Sequence, residues 1–458
     1  MFLGMCLKSL RSRGKENVRD RISELPDALL LHILSFLETK CCVNTGVLSR
    51  RWRNVWASIP NIDIRRGHFS RSGDLFNFVE RVLSFHDASD IQKFRLHCLC
   101  DDVIRFSHID RWVRNVVRHN VVELDLSIEL SVLADSYQGQ TFELPESVFT
   151  CKTLRVLELG SNFITNVPAS GCFPNLKFLR VVLEEPTNDS ICKLFSSCPV
   201  LEDLAIEGSH RYGVVFNFNI IAPELRRLRI SLDYDDFDKN GDIFFIFAPK
   251  LETFDLREEG FSSYHLENAN HLFKAKIYLP EHYASALAPC FVDRARRLLA
   301  GIHNVKHLTL SVHLLEPALL PAFDYLNQLK LDLYECNHWN LLTELLKRSP
   351  KLEYLVIQLY DGLICDEDYG HLEHGWNPPA FVPVCLSSHL KTISILRFEG
   401  REDEMEAAKY LLKHGKVLNR MNILTNYFQP KKKELYREFC WFERGSKACQ
   451  VEFEHDEF

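Results

Sequence analysis

A short frame, apolar-x-x-apolar-x-apolar, recurs along the chain and constrains its fold more than any other feature. It is clear at Leu154/Leu157/Leu159, Leu176/Leu179/Val181, Leu201/Leu204/Ile206 and Leu225/Leu228/Ile230. It continues at Leu251/Phe254/Leu256, Val305/Leu308/Leu310, Leu326/Leu329/Leu331 and Leu352/Leu355/Ile357. Weaker copies stand at Ile91/Phe94/Leu96, Val121/Leu124/Leu126 and Leu272/Ala275/Ile277. From Leu154 onward the first anchors are spaced by 22, 25, 24, 26, 21, 33, 21 and 26 residues. A near-constant period of this size means stacked units that bury a shared core. The last two anchors are two residues apart, so they share one face of a strand while their neighbours take the other.

Between the predicted strands lie amphipathic stretches, at 191–197, 292–302 and 341–348. Several stop at a proline, as in Ser-Ser-Cys-Pro (196–199) and Arg-Ser-Pro (348–350), because proline cannot continue a helix. One strand and one helix per repeat predicts an α/β solenoid of the leucine-rich-repeat type. Its parallel sheet lies on the concave face and its helices outside. Only 154–162 carries the fuller Leu-x-x-Leu-x-Leu-x-x-Asn pattern, so the repeats are expected to be irregular.

Two regions flank the repeats. Residues 20–66 read as three short helices. Leu25-Pro26-Asp27 opens the first, with Leu29, Leu30, Ile33, Leu34 and Leu37 at helical spacing. Trp52, Val55 and Trp56 lie in the third. So short a segment cannot bury this many large apolar groups alone, so some should face a partner. Residues 361–458 begin with acidic and turn residues. A strand, an acidic-headed helix at 402–414, a further strand, a helix and a last strand follow, predicting a small α/β cap on the solenoid. The expected divisions are a flexible tail at 1–19, the helical module at 20–66, the solenoid at 67–360 and the cap at 361–458.

Composition narrows the function. The chain has 458 residues and a formal charge of −7, which argues against a protein dominated by nucleic-acid binding. Its 15 cysteines include no Cys-x-x-Cys, which favours free thiols in a reducing compartment over zinc or a disulfide framework. No segment approaches the length of a membrane span. An intracellular protein of nucleus or cytoplasm is expected, with no cofactor and no metal.

The helical region resembles the F-box. The residues that carry the match are Leu25-Pro26, the run Ile33-Leu34-Ser35-Phe36-Leu37, and Val47-Leu48-Ser49-Arg50-Arg51-Trp52 with Trp56. The last region resembles the FBD domain of plant F-box proteins, through Trp376, Pro379, Val382-Pro383, Cys385-Leu386, Leu390-Lys391, Gly400, Glu404, Tyr410-Leu411-Leu412, Leu418 and Met421. The resemblance implies a non-catalytic substrate receptor of a Skp–cullin–F-box ubiquitin ligase. Its F-box would dock on a Skp-type adaptor, and through it on cullin and RING subunits. Its repeats would hold an unknown target. Leu25, Pro26, Leu29, Ile33, Leu34, Leu48 and Trp52 would then contact the adaptor or shape that contact. The alternative is a repeat-based scaffold that does not recruit the ligase.

Strand alternation also places Arg227, Arg229, Arg257, Lys274, Lys276 and His307 on the concave side, a stripe that could hold an acidic target segment, a phosphorylated one or an anionic small ligand; the alternative is a solvated face of mixed charge, with Asp255 inside the stripe and Glu158, Asp203 and Glu207 upstream. Three other motifs read as ordinary surface. Asp236-x-Asp238-x-Asn240-Gly241 imitates a calcium loop but has Phe247 where the bidentate glutamate belongs. Lys431-Lys432-Lys433 could be a nuclear import signal but reads as a solvated helix end, and the sequon Asn188-Asp189-Ser190 has no meaning in an intracellular chain. No His-Glu-x-x-His, Gly-x-Ser-x-Gly or phosphate-binding loop occurs, so no catalytic residue is assigned.

Overall fold

A computed structural model describes residues 22, 24–69, 71–86, 90–100, 104–130, 142–160, 163–164, 173–183, 188–210, 217–234, 242–258, 262–278, 289–311, 317–334, 339–360, 376–425 and 432–455. They divide into two compact units at Val122, with 129–131 counted in the first.

The first unit starts with helices α1 (Asp27–Leu34), α2 (Thr39–Asn44) and α3 (Arg50–Val55), the last two extended by single 3-10 turns. Ser49 caps α3 by accepting from the Trp52 amide, 3.4 Å away, in the usual role of a serine at a helix start. Leu30, Leu34, Cys42, Trp52, Val55 and Ile59 close a small core, with Leu25, Leu31 and Trp56 partly buried against it. The chain then enters strand Asn61–Arg65 with no intervening linker. This strand pairs in parallel with Lys93–Cys100, and helices Ser72–Phe85 and Ile104–Arg118 belong to the same unit. Ile59, Ile62 and Ile64, all buried, repeat the six-residue frame, so the repeats begin inside the stretch assigned from sequence to the helical module.

The second unit is built on one parallel sheet. From the Glu123–Leu130 strand its order runs without exception in sequence direction, through Val156–Leu159, Phe178–Leu183, Asp203–His210, Arg227–Tyr234, Thr253–Glu258, Lys274–Tyr278, His307–Ser311, Gln328–Tyr334 and Tyr354–Tyr360. The anchors are the core, and one turn device recurs at many of the first anchors. The amide of Leu201, Leu225, Leu251, Leu272, Leu326 or Leu352 bonds the carbonyl three residues earlier. A second device joins neighbours. The carbonyls of Lys177, Glu202, Arg226, Glu252, Phe273, Lys306 and Asn327 each accept two consecutive amides from the next strand.

Helices Asn188–Ser196, Pro289–Gly301 and Trp339–Arg348 occupy the outer positions where amphipathic stretches are predicted. Three other repeats depart from one strand plus one helix. Their outer element is a strand, at Asn217–Ile221, Ile243–Phe247 and Ser263–Glu267, and these pair in parallel as a second sheet. The reason lies in the residues. Asn-Phe-Asn-Ile-Ile and Ile-Phe-Phe-Ile-Phe alternate and are β-branched or aromatic, and every second side chain is buried. Phe218, Phe244 and Tyr264 stack there at 4.4 and 4.9 Å between ring centroids.

The C-terminal region is α/β, as expected of the cap, and it is continuous with the solenoid. Thr392–Leu396, Arg420–Thr425 and Gln450–His455 continue the same parallel sheet in register. Asn162, residues 236–241 and Lys431 lie outside the described residues. Helices Asn188–Ser196 and Lys432–Trp441 take up the sequon and the remaining lysines.

Candidate functional site

In the helical module, the interior and exterior of α1 are separated by helical periodicity. Leu30 and Leu34 point into the core, while Leu29 and Ile33, one turn apart, point out. The module exposes Ile22 (58%), Leu29 (49%), Ile33 (42%), Phe36 (76%), Leu37 (42%), Val47 (82%) and Leu48 (62%). Leaving such a side chain in water forgoes roughly 1.5–3 kcal/mol of burial each. The apolar surplus foreseen in the sequence is therefore an outward-facing surface. Arg51 braces its N-terminal edge: Nε donates to Asp27 Oδ1 at 2.9 Å and Nη2 to the Leu25 carbonyl at 2.6 Å.

Of the seven residues expected at the adaptor contact, Pro26, Leu29, Ile33 and Leu48 are exposed and Leu25 is half-buried. Leu34 and Trp52 are 1% and 3% exposed and hold the core, so they can only shape the contact from behind. Phe36, Leu37, Val47 and Ile22 are exposed too, and none of them was among the residues expected at that contact. The signal was present, because four of the five residues 33–37 are large and apolar and cannot all turn inward.

On the repeat strands the residues of the expected stripe alternate with the buried anchors, and their side chains are partly neutralised. Arg227 pairs with Asp203 at 2.7 Å, and Arg229 approaches the same carboxylate at 3.8 Å. Lys276 lies 3.6 Å from Asp255. Arg257 sits over the Tyr278 ring, 5.4 Å from its centroid. His307 packs edge-on against Phe273, and burial, with Lys274 and Lys306 nearby, lowers its pKa below the usual histidine value. Neighbouring strands extend the lattice, with Arg180 held between Glu158 (3.5 Å) and Glu207 (2.6 Å). Among the described residues no group of three or more His, Cys, Asp or Glu is placed to hold a metal ion. No described helix is long and apolar enough to cross a membrane.

Comparison with known proteins joins these parts. The F-box domain model matches residues 22–63, the leucine-rich-repeat model "FBD-associated F-box protein At5g56370, LRR repeats" matches 109–279, and the FBD model matches 377–423. The F-box/FBD/LRR-repeat protein At4g00160 of Arabidopsis thaliana is 33% identical over 456 residues, covering 96% of this chain and 95% of that protein. The FBD-associated F-box protein At4g10400, also from Arabidopsis thaliana, is 31% identical and covers 95% of this chain and 100% of its own length.

The chain belongs to the F-box/FBD/LRR-repeat family. The helical module is thus an F-box, and the C-terminal region an FBD. The FBD is fastened to the last repeat helix by aromatic packing: Trp376 meets Trp339 edge-on at 5.6 Å and Tyr410 at 5.5 Å. Trp339 Nε1 donates to Asp403 Oδ2 at 2.6 Å. At the start of helix Glu402–His414, Glu404 Oε2 accepts the amides of Glu399, Gly400 and Arg401 at 2.9, 2.7 and 3.2 Å. Gly400 makes that turn possible with φ of +80°, and its Cα faces Leu435 too closely for a side chain.

Proposed function

We propose that this protein is the substrate-recognition subunit of a Skp–cullin–F-box ubiquitin ligase. The exposed apolar face of the F-box docks on a Skp-type adaptor, and the repeats hold the protein to be ubiquitinated. The observation that carries the reading is the cluster of large apolar side chains left in water by a folded, capped and fully cored module. Contiguous apolar surface of this kind marks a protein-interaction site. Bond-making then belongs to the RING partner and the conjugating enzyme. This chain contributes proximity, raising the effective concentration of target lysines at the charged thioester.

The test is pull-down of a plant Skp-type adaptor by the full chain. Val47→Asp/Leu48→Asp changes only exposed positions and should abolish capture while leaving the circular dichroism spectrum and melting temperature unchanged. Capture undiminished by this pair, or no capture by the folded wild type, would leave a repeat-based binder without a ligase.

A further inference from the structure

The open face of the second unit's sheet can be read in rows, because parallel register sets one residue of each strand beside one of the next. Arg227, Thr253, Lys274, His307, Gln328 and Tyr354 form such a row across six neighbouring strands. It contains no carboxylate. On these six strands the open face carries six cations, Arg227, Arg229, Arg257, Lys274, Lys276 and Lys330, against Asp233, Asp255 and Asp332 among the described residues. Asp255 is engaged by Lys276, and Asp332, 3% exposed, accepts from Ser311 and lies 3.9 Å from Lys330. Lys274 has no carboxylate partner among the described residues, and Arg257 rests on a tyrosine ring. Arg227 and Arg229 are engaged by Asp203 of the neighbouring strand, so the excess positive charge sits around Lys274, with Arg257 and Lys276 on the adjoining rows, on a protein whose net charge is −7.

Apolar surface adjoins it. Phe273 is 43% exposed at the rim, with the Lys306 ammonium 5.7 Å from its ring centroid, and Tyr354 is 40% exposed at the end of the row. The five strand-to-strand steps span roughly 24 Å, the length of about seven extended residues. Single exposed ion pairs contribute little, but an array of cations flanked by aromatic surface discriminates by charge and by register.

We propose that this open face, centred on Lys274 and the two rows beside it, holds an extended acidic segment of the target protein. Its carboxylates meet Lys274, Arg257 and Lys276, and an apolar side chain rests on Phe273 or Tyr354. The inference deepens the receptor reading and rests on it for what the bound partner is, while the surface itself stands apart from the F-box.

The experiment is fluorescence anisotropy on the full chain with three labelled ten-residue peptides of one pattern. One is rich in Asp and Glu with a central Phe, one has Asn and Gln in their place, and one carries phosphoserines. A labelled oligothymidylate serves as a nucleic-acid probe. The acidic or phosphorylated peptide should bind at least about tenfold tighter than the neutral one and weaken with salt. Lys274→Glu/Arg257→Glu should lose at least about tenfold, and Lys409→Glu/Lys416→Glu, an equal charge change on the FBD, should stay within about twofold. Equal binding of acidic and neutral peptides, equal loss in the FBD pair, or oligothymidylate binding as tightly as the peptide would overturn the proposal. Adaptor capture is measured on the same preparations. Peptide failure with capture intact removes this inference alone, and capture failure with peptide binding intact removes the ligase reading alone.

Discussion

Two buried titratable side chains set opposite pH responses. His86, 2% exposed, contacts the Ile59 carbonyl through Nε2 at 2.6 Å. Burial, with His119 acting in the same direction, lowers its pKa below the ordinary 6.5. A group depressed on folding contributes stability above its unfolded pKa and loses it as pH falls through the folded one. The urea midpoint of the first unit should therefore drop between pH 7.5 and 5.5, and His86→Asn should flatten that dependence. Glu404 behaves in reverse. Burial pushes its carboxyl up to about 7, against the pull of three amide donors and Arg401. Its contribution is complete below the unfolded value and is lost as pH rises through 7, so FBD unfolding monitored at Trp376 should become easier from pH 6 to 8. Glu404→Ala orphans three amides and should cost about 1–3 kcal/mol, measured by urea unfolding at pH 6. Neither group was legible as titrating in the sequence, because burial is a property of the assembled neighbours. Glu404 appeared there only as part of a family pattern, and its work as a turn clamp is a matter of where Gly400 bends the chain.

Among the elements, the repeat strands were the most legible, because two buried anchors two residues apart can be satisfied by little else. The same frame was present but unread in the FBD. Leu390/Ile393/Ile395 and Leu418/Met421/Ile423 are buried anchors, and Glu353 and Lys391 carry on the paired-amide device that joins the repeats. A gap of 38 residues between Leu352 and Leu390 hid the continuity. The outer strands were missed for another reason: short apolar runs do not distinguish strand from helix by period alone. Close pairing yields a sharp test at Gly208, where an added Cβ would collide with the Leu183 carbonyl. Gly208→Ala should push apart Phe178–Leu183 and Asp203–His210 and cost about 2 kcal/mol or more, seen as a lowered urea midpoint.

At the scale of the molecule, the ligase reading predicts a division of stability. On that reading, saturating Skp-type adaptor covers the F-box face, stabilises the first unit by mass action by about 2.7 kcal/mol at a hundredfold excess over Kd, and so raises its melting temperature. The Val47→Asp/Leu48→Asp variant should show no shift. The exposed face of the F-box was half legible: the apolar surplus announced a surface, but helix rotation decided which residues form it, and it turned Leu34 and Trp52 inward. The charged stripe is read from strand alternation with Asp255 already inside it; what the sequence does not give is the pairing of Asp203 with Arg227 and Arg229, which the register of adjacent strands sets.

The F-box has no seam where it meets the repeats. Ile59 closes the helical core and, as the first anchor of strand Asn61–Arg65, also belongs to the sheet, while Thr39 Oγ1 accepts the Asp63 amide at 2.8 Å from the other side. A graft that exchanges F-boxes between relatives by cutting just after Trp56 would divide a residue's two duties between two parents. The productive cut lies beyond Arg65, so that a transplanted F-box carries its own first strand with it.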